Sequence, residues 1–229
     1  MRLVKNCAFL LLLLGSLFSI SSAQLGRQWL ANYSSLSKKG INGVSAMVVD
    51  DSGNVIVTGY TYTKPDSFMT TIKYSPTGVL LWKQTVTTNG SSKGIAIATD
   101  TSNDVYVTGS INSDEKIMAV KYGPNGGLVW SVIYSAGYGS DIPTCIAVND
   151  SLNVYVTGYS KGLGTGYDIL TIKYDLNGAQ KWVNRYNGPA NGDDKGYAMA
   201  LHGNTDVYIT GSMTDTMLDY VTIDYGAAA

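Results

Sequence analysis

A six-residue pattern occurs four times along this chain, and it limits the possible folds more than any other feature. It reads Asn54-Val55-Ile56-Val57-Thr58-Gly59, and returns as Asp104 to Gly109, Asn153 to Gly158 and Asp206 to Gly211. The step between copies is about fifty residues, a period that belongs to solenoids, propellers and other arrays. Each period reads as four short strands. In the second they fall at Gly94 to Ala98, Val105 to Gly109, Lys116 to Tyr122 and Leu128 to Tyr134. Runs of Val, Ile, Tyr and Thr bounded by Gly, Pro, Asn and Asp carry that strand signal. No stretch of the repeats shows a helical period.

Columns within the repeat give the shape. The fourth strand carries Trp29, Trp82, Trp130 and Trp182. The first strand carries small residues in one column, Ala46, Ala96, Cys145 and Ala198. Sheets set radially crowd at the axis and spread at the rim, so small residues suit the inner strand and Trp the outer one. Strands that are apolar on both faces suit sheets covered on both sides. The expected fold is therefore all-β, a β-propeller of four four-stranded blades. The chain opens with a lone fourth strand, Gln28 to Tyr33, and its repeats end on a third strand, Tyr220 to Tyr225. Pairing of that N-terminal outer strand with the C-terminal blade is expected to close the ring and remove two open edges. A monomer is one expectation; two chains forming a larger ring, a dimer, is another.

Residues 1–23 read as a signal peptide. Arg2 and Lys5 precede an apolar run from Cys7, and Ser21-Ser22-Ala23 supplies a cleavage site before Gln24. The run is too short and too broken to span a bilayer, which takes about 20 apolar residues. The expected location is secreted, periplasmic or extracellular, with no membrane span after signal cleavage. Residues 24–229 form the repeat domain and hold one cysteine, Cys145, so no internal disulfide is available despite export. The formal net charge is −1, which argues against nucleic acid as a partner.

The segments Gly94 to Asp100, Asn153 to Gly158, Ile172 to Tyr174 and Gly192 to Tyr197 resemble the bacterial SBBP-type β-propeller repeat, with delta-60 and NHL-like repeats similar as well. The resemblance spans the whole domain. It implies an exported bacterial propeller and names no ligand.

Chemistry is sparse. His202 is the only histidine, and it aligns with Asp50, Asp100 and Asn149, which open a tight turn where side chains cap the backbone. A Ser-His-Asp triad has no partner set, and one His with one Cys cannot hold zinc. Cys145 reads as a small buried hydrophobe. No cofactor or metal is expected, apart from a calcium option at Asp193 and Asp194, since that ion takes 6–8 oxygens. Lys73, Lys121 and Lys173 recur in register and read as edge-protecting or pairing residues. Asp66, Glu115, Asp141, Asp168 and Asp219 lie on or beside loops, where a carboxylate pair could serve glycoside cleavage.

Loop length points to a binding face. Turns between first and second strands, and between third and fourth, are alike in all repeats. The other connections vary, and alternating strand direction puts them all on one face, where recognition evolves on a rigid scaffold. That face is expected to carry Tyr60, Tyr62, Tyr138, Asp141, Tyr159, Tyr167, Asp193 and Asp194 as ligand-binding residues. Tyrosines beside polar groups suit an extracellular glycan or protein. A binding module without catalytic residues leads; a carbohydrate-active enzyme using loop carboxylates, or a structural segment of a larger surface protein, follows.

Overall fold

The computed structural model describes residues 26–33, 41–112 and 116–226. The expected signal peptide, Glu115 and the last three alanines lie outside the described residues. Fifteen strands form four antiparallel sheets, and no helix occurs among the described residues. The first sheet holds β1 (Asn42–Val49), β2 (Val55–Thr63), β3 (Asp66–Tyr74) and β4 (Leu80–Thr85). The second holds β5 (Ser92–Thr99), β6 (Val105–Ile111), β7 (Lys116–Tyr122) and β8 (Leu128–Tyr134). The third holds β9 (Asp141–Val148), β10 (Val154–Lys161), β11 (Tyr167–Tyr174) and β12 (Gln180–Tyr186). The fourth has only β13 (Lys195–His202), β14 (Asp206–Thr214) and β15 (Leu218–Tyr225). Each sheet is a simple meander.

The Thr-Gly ending of the repeated pattern has a geometric cause. The first strand of every sheet slips register opposite that glycine. The irregularity pushes a backbone carbonyl toward it, and a Cβ on Gly109 or Gly158 would stand 2.0 Å from the oxygen of Lys93 or Ile142. Only glycine leaves room for that approach. The Asp and Asn that open the next turn act as expected. Asp50 Oδ1 accepts from the amides of Ser52 and Asn54, at 3.0 and 2.9 Å. Asp100 and Asn149 repeat the arrangement.

Sheets stack face to face in chain order, a propeller-like arrangement. First strands of consecutive sheets adjoin along the inner side. Each sheet sends a leading face toward the next. Ile56, Met69 and Trp82 of the first sheet pack on Val105, Val107 and Tyr122 of the second. Tyr106, Ile117 and Ala119 then meet Val154, Val156 and Ile172, and Tyr155 and Ile169 meet Val207 and Ile209. Outer tryptophans pin the same joints. Trp82 lies 5.9 Å from Tyr122 and donates to Pro124 O at 2.9 Å. Trp130 lies 6.5 Å from Tyr174 and donates to Leu176 O at 3.0 Å. Each indole covers a glycine turn, Gly126 or Gly178, whose positive φ suits glycine and whose missing side chain leaves room for the ring.

Two of the repeated lysines form ion pairs, though not identical ones, and Lys173 lies 5.4 Å from the Tyr155 ring centre instead. Lys73 reaches Asp50 at 2.8 Å, and both side chains are buried. In the second sheet Tyr106 stands where Ile56 stood, and its hydroxyl donates to Asp100 Oδ2 at 2.8 Å. Lys121 then turns to Asp104, at 2.8 Å, and lies over the Tyr106 ring.

The expected ring closure is not formed within the chain. The fourth sheet lacks its fourth strand, and among the described residues the substantial strand contacts join only consecutive sheets. Residues 28–33 make no ladder with β15. Instead Trp29 is held on the first sheet, 6.2 Å from Tyr74, with its indole N–H on Pro76 O at 3.0 Å. Trp29 thus makes the contacts an outer-strand Trp makes with the following sheet, and Lys83 adds a bond to the Tyr33 hydroxyl at 3.1 Å.

Candidate functional site

The variable-loop face was the expected recognition surface, and the eight residues assigned to it divide into two groups. Asp141 and Asp194 are not available to a ligand. Asp141 is fully buried; it accepts from the Ala136 amide at 2.8 Å and from the Ser160 hydroxyl. Asp194 is equally buried, and its two oxygens take the amides of Gly188 and Thr214. Buried carboxylates require such donors, so these two order loops rather than present charge.

Asp193 does related work nearer the surface. It accepts from the Tyr167 amide at 3.0 Å and pairs with Lys195 at 3.0 Å. The amide and the ammonium hold its carboxyl below the ordinary range, while Asp193 raises the pKa of Lys195. Its carbonyl takes the Thr214 hydroxyl at 2.8 Å, and Gly166 N–H reaches Asn191 O at 3.0 Å. The connections after β10, β12 and β14 are thereby sewn into one surface. The oxygens of Asp193 and Asp194, the pair where calcium was an option, accept from amides and an ammonium. No cluster of three or more His, Cys, Asp or Glu occurs among the described residues.

On that base lie the tyrosines. Tyr159 and Tyr167 meet edge to face, 5.2 Å apart at 84°. Lys195 Nζ sits 5.5 Å from the Tyr159 ring centre and 5.1 Å from that of Tyr167. Lys161 Nζ covers Tyr167 at 5.3 Å, an attraction between cation and ring face. The Lys161 stem passes Gly139, beside Tyr138, which is 54 % exposed. Lys161, Tyr167, Tyr159, Lys195 and Asp193 thus form one continuous strip, and Tyr138 follows at its end as the chain neighbour of Gly139.

Tyr60 and Tyr62 lie elsewhere, both on β2. Tyr60 packs against Gly43 and lines a groove on the first sheet, with Lys93 5.7 Å from its ring. Tyr62 borders a separate polar cleft with Ser67, Ser91, Ser92, Lys93 and Ser110. The eight residues therefore do not form one site.

The sequence reading missed Lys161, Lys195, Ser160 and Arg185. Arg185 bonds Asp168 Oδ2 at 2.9 Å, Ser160 Oγ at 2.7 Å and the carbonyls of Ser160 and Lys161. This network holds the strip from beneath. A signal for it was present: Arg185 stands three residues after its Trp, where the other repeats carry Asn32, Thr85 and Ile133. Asp168 is therefore an ion-pair partner inside the loop base. His202 is exposed and sits 3.3 Å from Asp206 at its turn. Cys145 is half-buried rather than fully buried, and burial pushes its thiol pKa up, away from reactivity.

No protein-family description matches the chain, and no curated protein is significantly similar. Solved structures do match. A puromycin hydrolase is 11% identical over 81% of this chain and 29% of its own, with a TM-score of 0.49. An apocarotenoid oxygenase from Synechocystis is 12% identical over 80% of this chain and 48% of its own, at 0.48. A GH43 β-1,3-galactosidase is 10% identical over 89% of this chain and 75% of its own, also at 0.48. This chain spans less than a third of the hydrolase and about half of the oxygenase. Similarity at that level assigns no activity.

Proposed function

We propose that this chain is an exported, propeller-like binding module of the SBBP repeat type. It recognises an extracellular glycan or protein through the strip from Tyr138 to Asp193. The observation that supports this is the construction of the strip: two crossed tyrosines and two lysines at the ends of β10, β11 and β13, beside loops fixed by buried carboxylates. Such pre-ordering spares a binder the entropy of arranging its loops. The reading is preferred over a glycoside-cleaving enzyme because, of the loop carboxylates, Asp141 is buried and already hydrogen-bonded and Asp168 is ion-paired with Arg185.

The test is a screen of the purified protein on glycan and extracellular-protein arrays, followed by titration of the best hit. Tyr138→Ala with Lys161→Ala should weaken that hit by about tenfold or more, the usual loss when an anchor is truncated. Unchanged affinity in a folded double variant would overturn the assignment of this face.

A further inference from the structure

The two ends of the stack are the two halves of a joint already seen three times. At each internal joint the leading face is buried: Tyr106 and Thr108 are wholly covered by the third sheet, and Tyr155 and Thr157 by the fourth. The fourth sheet carries the same residues, Tyr208 and Thr210, with Tyr220 and Thr222 beside them. Here all four are exposed, Tyr220 by 95 %. The opposite end shows the complement. Val55 and Val57 occupy the places of the fully buried Val105 and Val107, yet they line an open groove of about 300 Å³ with Ile72 and Tyr74.

Strand count repeats the message. Trp29 stacks on Tyr74 and over Gly78 as Trp82 does on Tyr122 and over Gly126, so residues 28–33 act as the outer strand of a sheet placed before the first. The fourth sheet is the one without an outer strand, and β15 is its open edge. In the complete sheets the Trp stands opposite a lysine: Trp82 on Lys73, Trp130 on Lys121, Trp182 on Lys173. The same register sets Trp29 opposite Asp224 and Ala31 opposite Thr222.

From this we infer that a second copy of the chain covers both ends. The leading face of one fourth sheet packs on the first sheet of the other copy, and residues 28–33 of that copy add the missing strand to β15. A second copy is the occupant because, among the described residues, the three internal joints leave the first and fourth sheets of one chain without substantial contact. Two joints related by a two-fold axis close eight sheets into a ring, within the range of four to eight blades typical of propellers.

The test takes three measurements. Light scattering of the purified protein should give twice the chain mass. Tyr220→Asp should halve that mass while leaving circular dichroism unchanged, since Tyr220 lies open in the single chain. Ala31→Cys with Thr222→Cys, made with Cys7 and Cys145 replaced by Ser, should give on oxidation a covalent two-chain species. A one-chain mass would overturn the inference, and so would an internal disulfide or a stable mass of three or more copies. Should the cysteine variant fail to fold, the mass of the unaltered protein still decides.

Discussion

Trp29 lies on Tyr74, 6.2 Å away, in the arrangement that joins Trp82 to Tyr122 one sheet later. A residue before the first sheet thus makes the contact that elsewhere links two complete sheets. The internal joints should therefore be worth more to the fold than the terminal one. Trp82→Ala empties a buried site in the first core and should cost about 3–5 kcal/mol. Trp29→Ala removes a half-exposed ring and should cost less in urea unfolding at low protein concentration. Equal losses would contradict this ranking.

The repeated glycine offers a sharper contrast. Gly158→Ala places a methyl about 2.0 Å from the Ile142 carbonyl, so the first strand must move. A loss of about 2–3 kcal/mol or more is expected, the range of overpacking. Gly127 has open space around its missing side chain, and Gly127→Ala should leave the thermal midpoint nearly unchanged. A tolerated Gly158→Ala would remove the geometric reason given for the Thr-Gly signature.

Acid should find the Asp50–Lys73 pair. Burial opposes ionisation of Asp50, but Lys73 and the Asn54 groups outweigh it, so its folded pKa lies below the ordinary 3.8. The unfolded chain then binds the proton first. Stability from this group is complete above about pH 4 and is lost as pH falls through the folded value. Lys73→Met leaves a buried carboxylate without its cation and should cost about 3 kcal/mol at neutral pH. It should also flatten the fall in urea midpoint below pH 4. An unchanged acid slope in the variant would show that Asp50 is not the group responsible.

Asp194 tests the loop base. Asp194→Ala strands the amides of Gly188 and Thr214, and each buried donor left unpaired costs about 1–3 kcal/mol. Hydrogen exchange should speed up in residues 187–194 and around Thr214 while the β6 and β10 cores stay protected. Uniform protection throughout would mean that these loops are ordered by something else.

Much of this architecture was legible because it repeats. The strands of the second sheet fall where Val, Ile and Tyr runs placed them, since each must fill the same slot between neighbours. The Asp50, Asp100 and Asn149 turns were readable for the same reason. The loop face was not, because its decisive contacts occur once. Nothing in the spacing of Asp141 or Asp194 says that Ser160, Ala136, Gly188 and Thr214 will claim their oxygens. Acidic residues on variable loops looked like ligand groups and proved to be internal fasteners. The segment 28–33 was half legible: the Trp column put Trp29 with the outer tryptophans, while the expected strand pairing is not formed in the single chain and Tyr74 and Pro76 hold the Trp29 ring instead.

The central relationship is the pairing of the open edge of β15 with residues 28–33 of another copy. Amide hydrogen exchange across a dilution series tests that directly. At high concentration the outward amides of residues 220–225 and those of 28–33 should both be protected, and both should lose protection together on dilution. Exchange at open-edge rates in both segments at every concentration would contradict it.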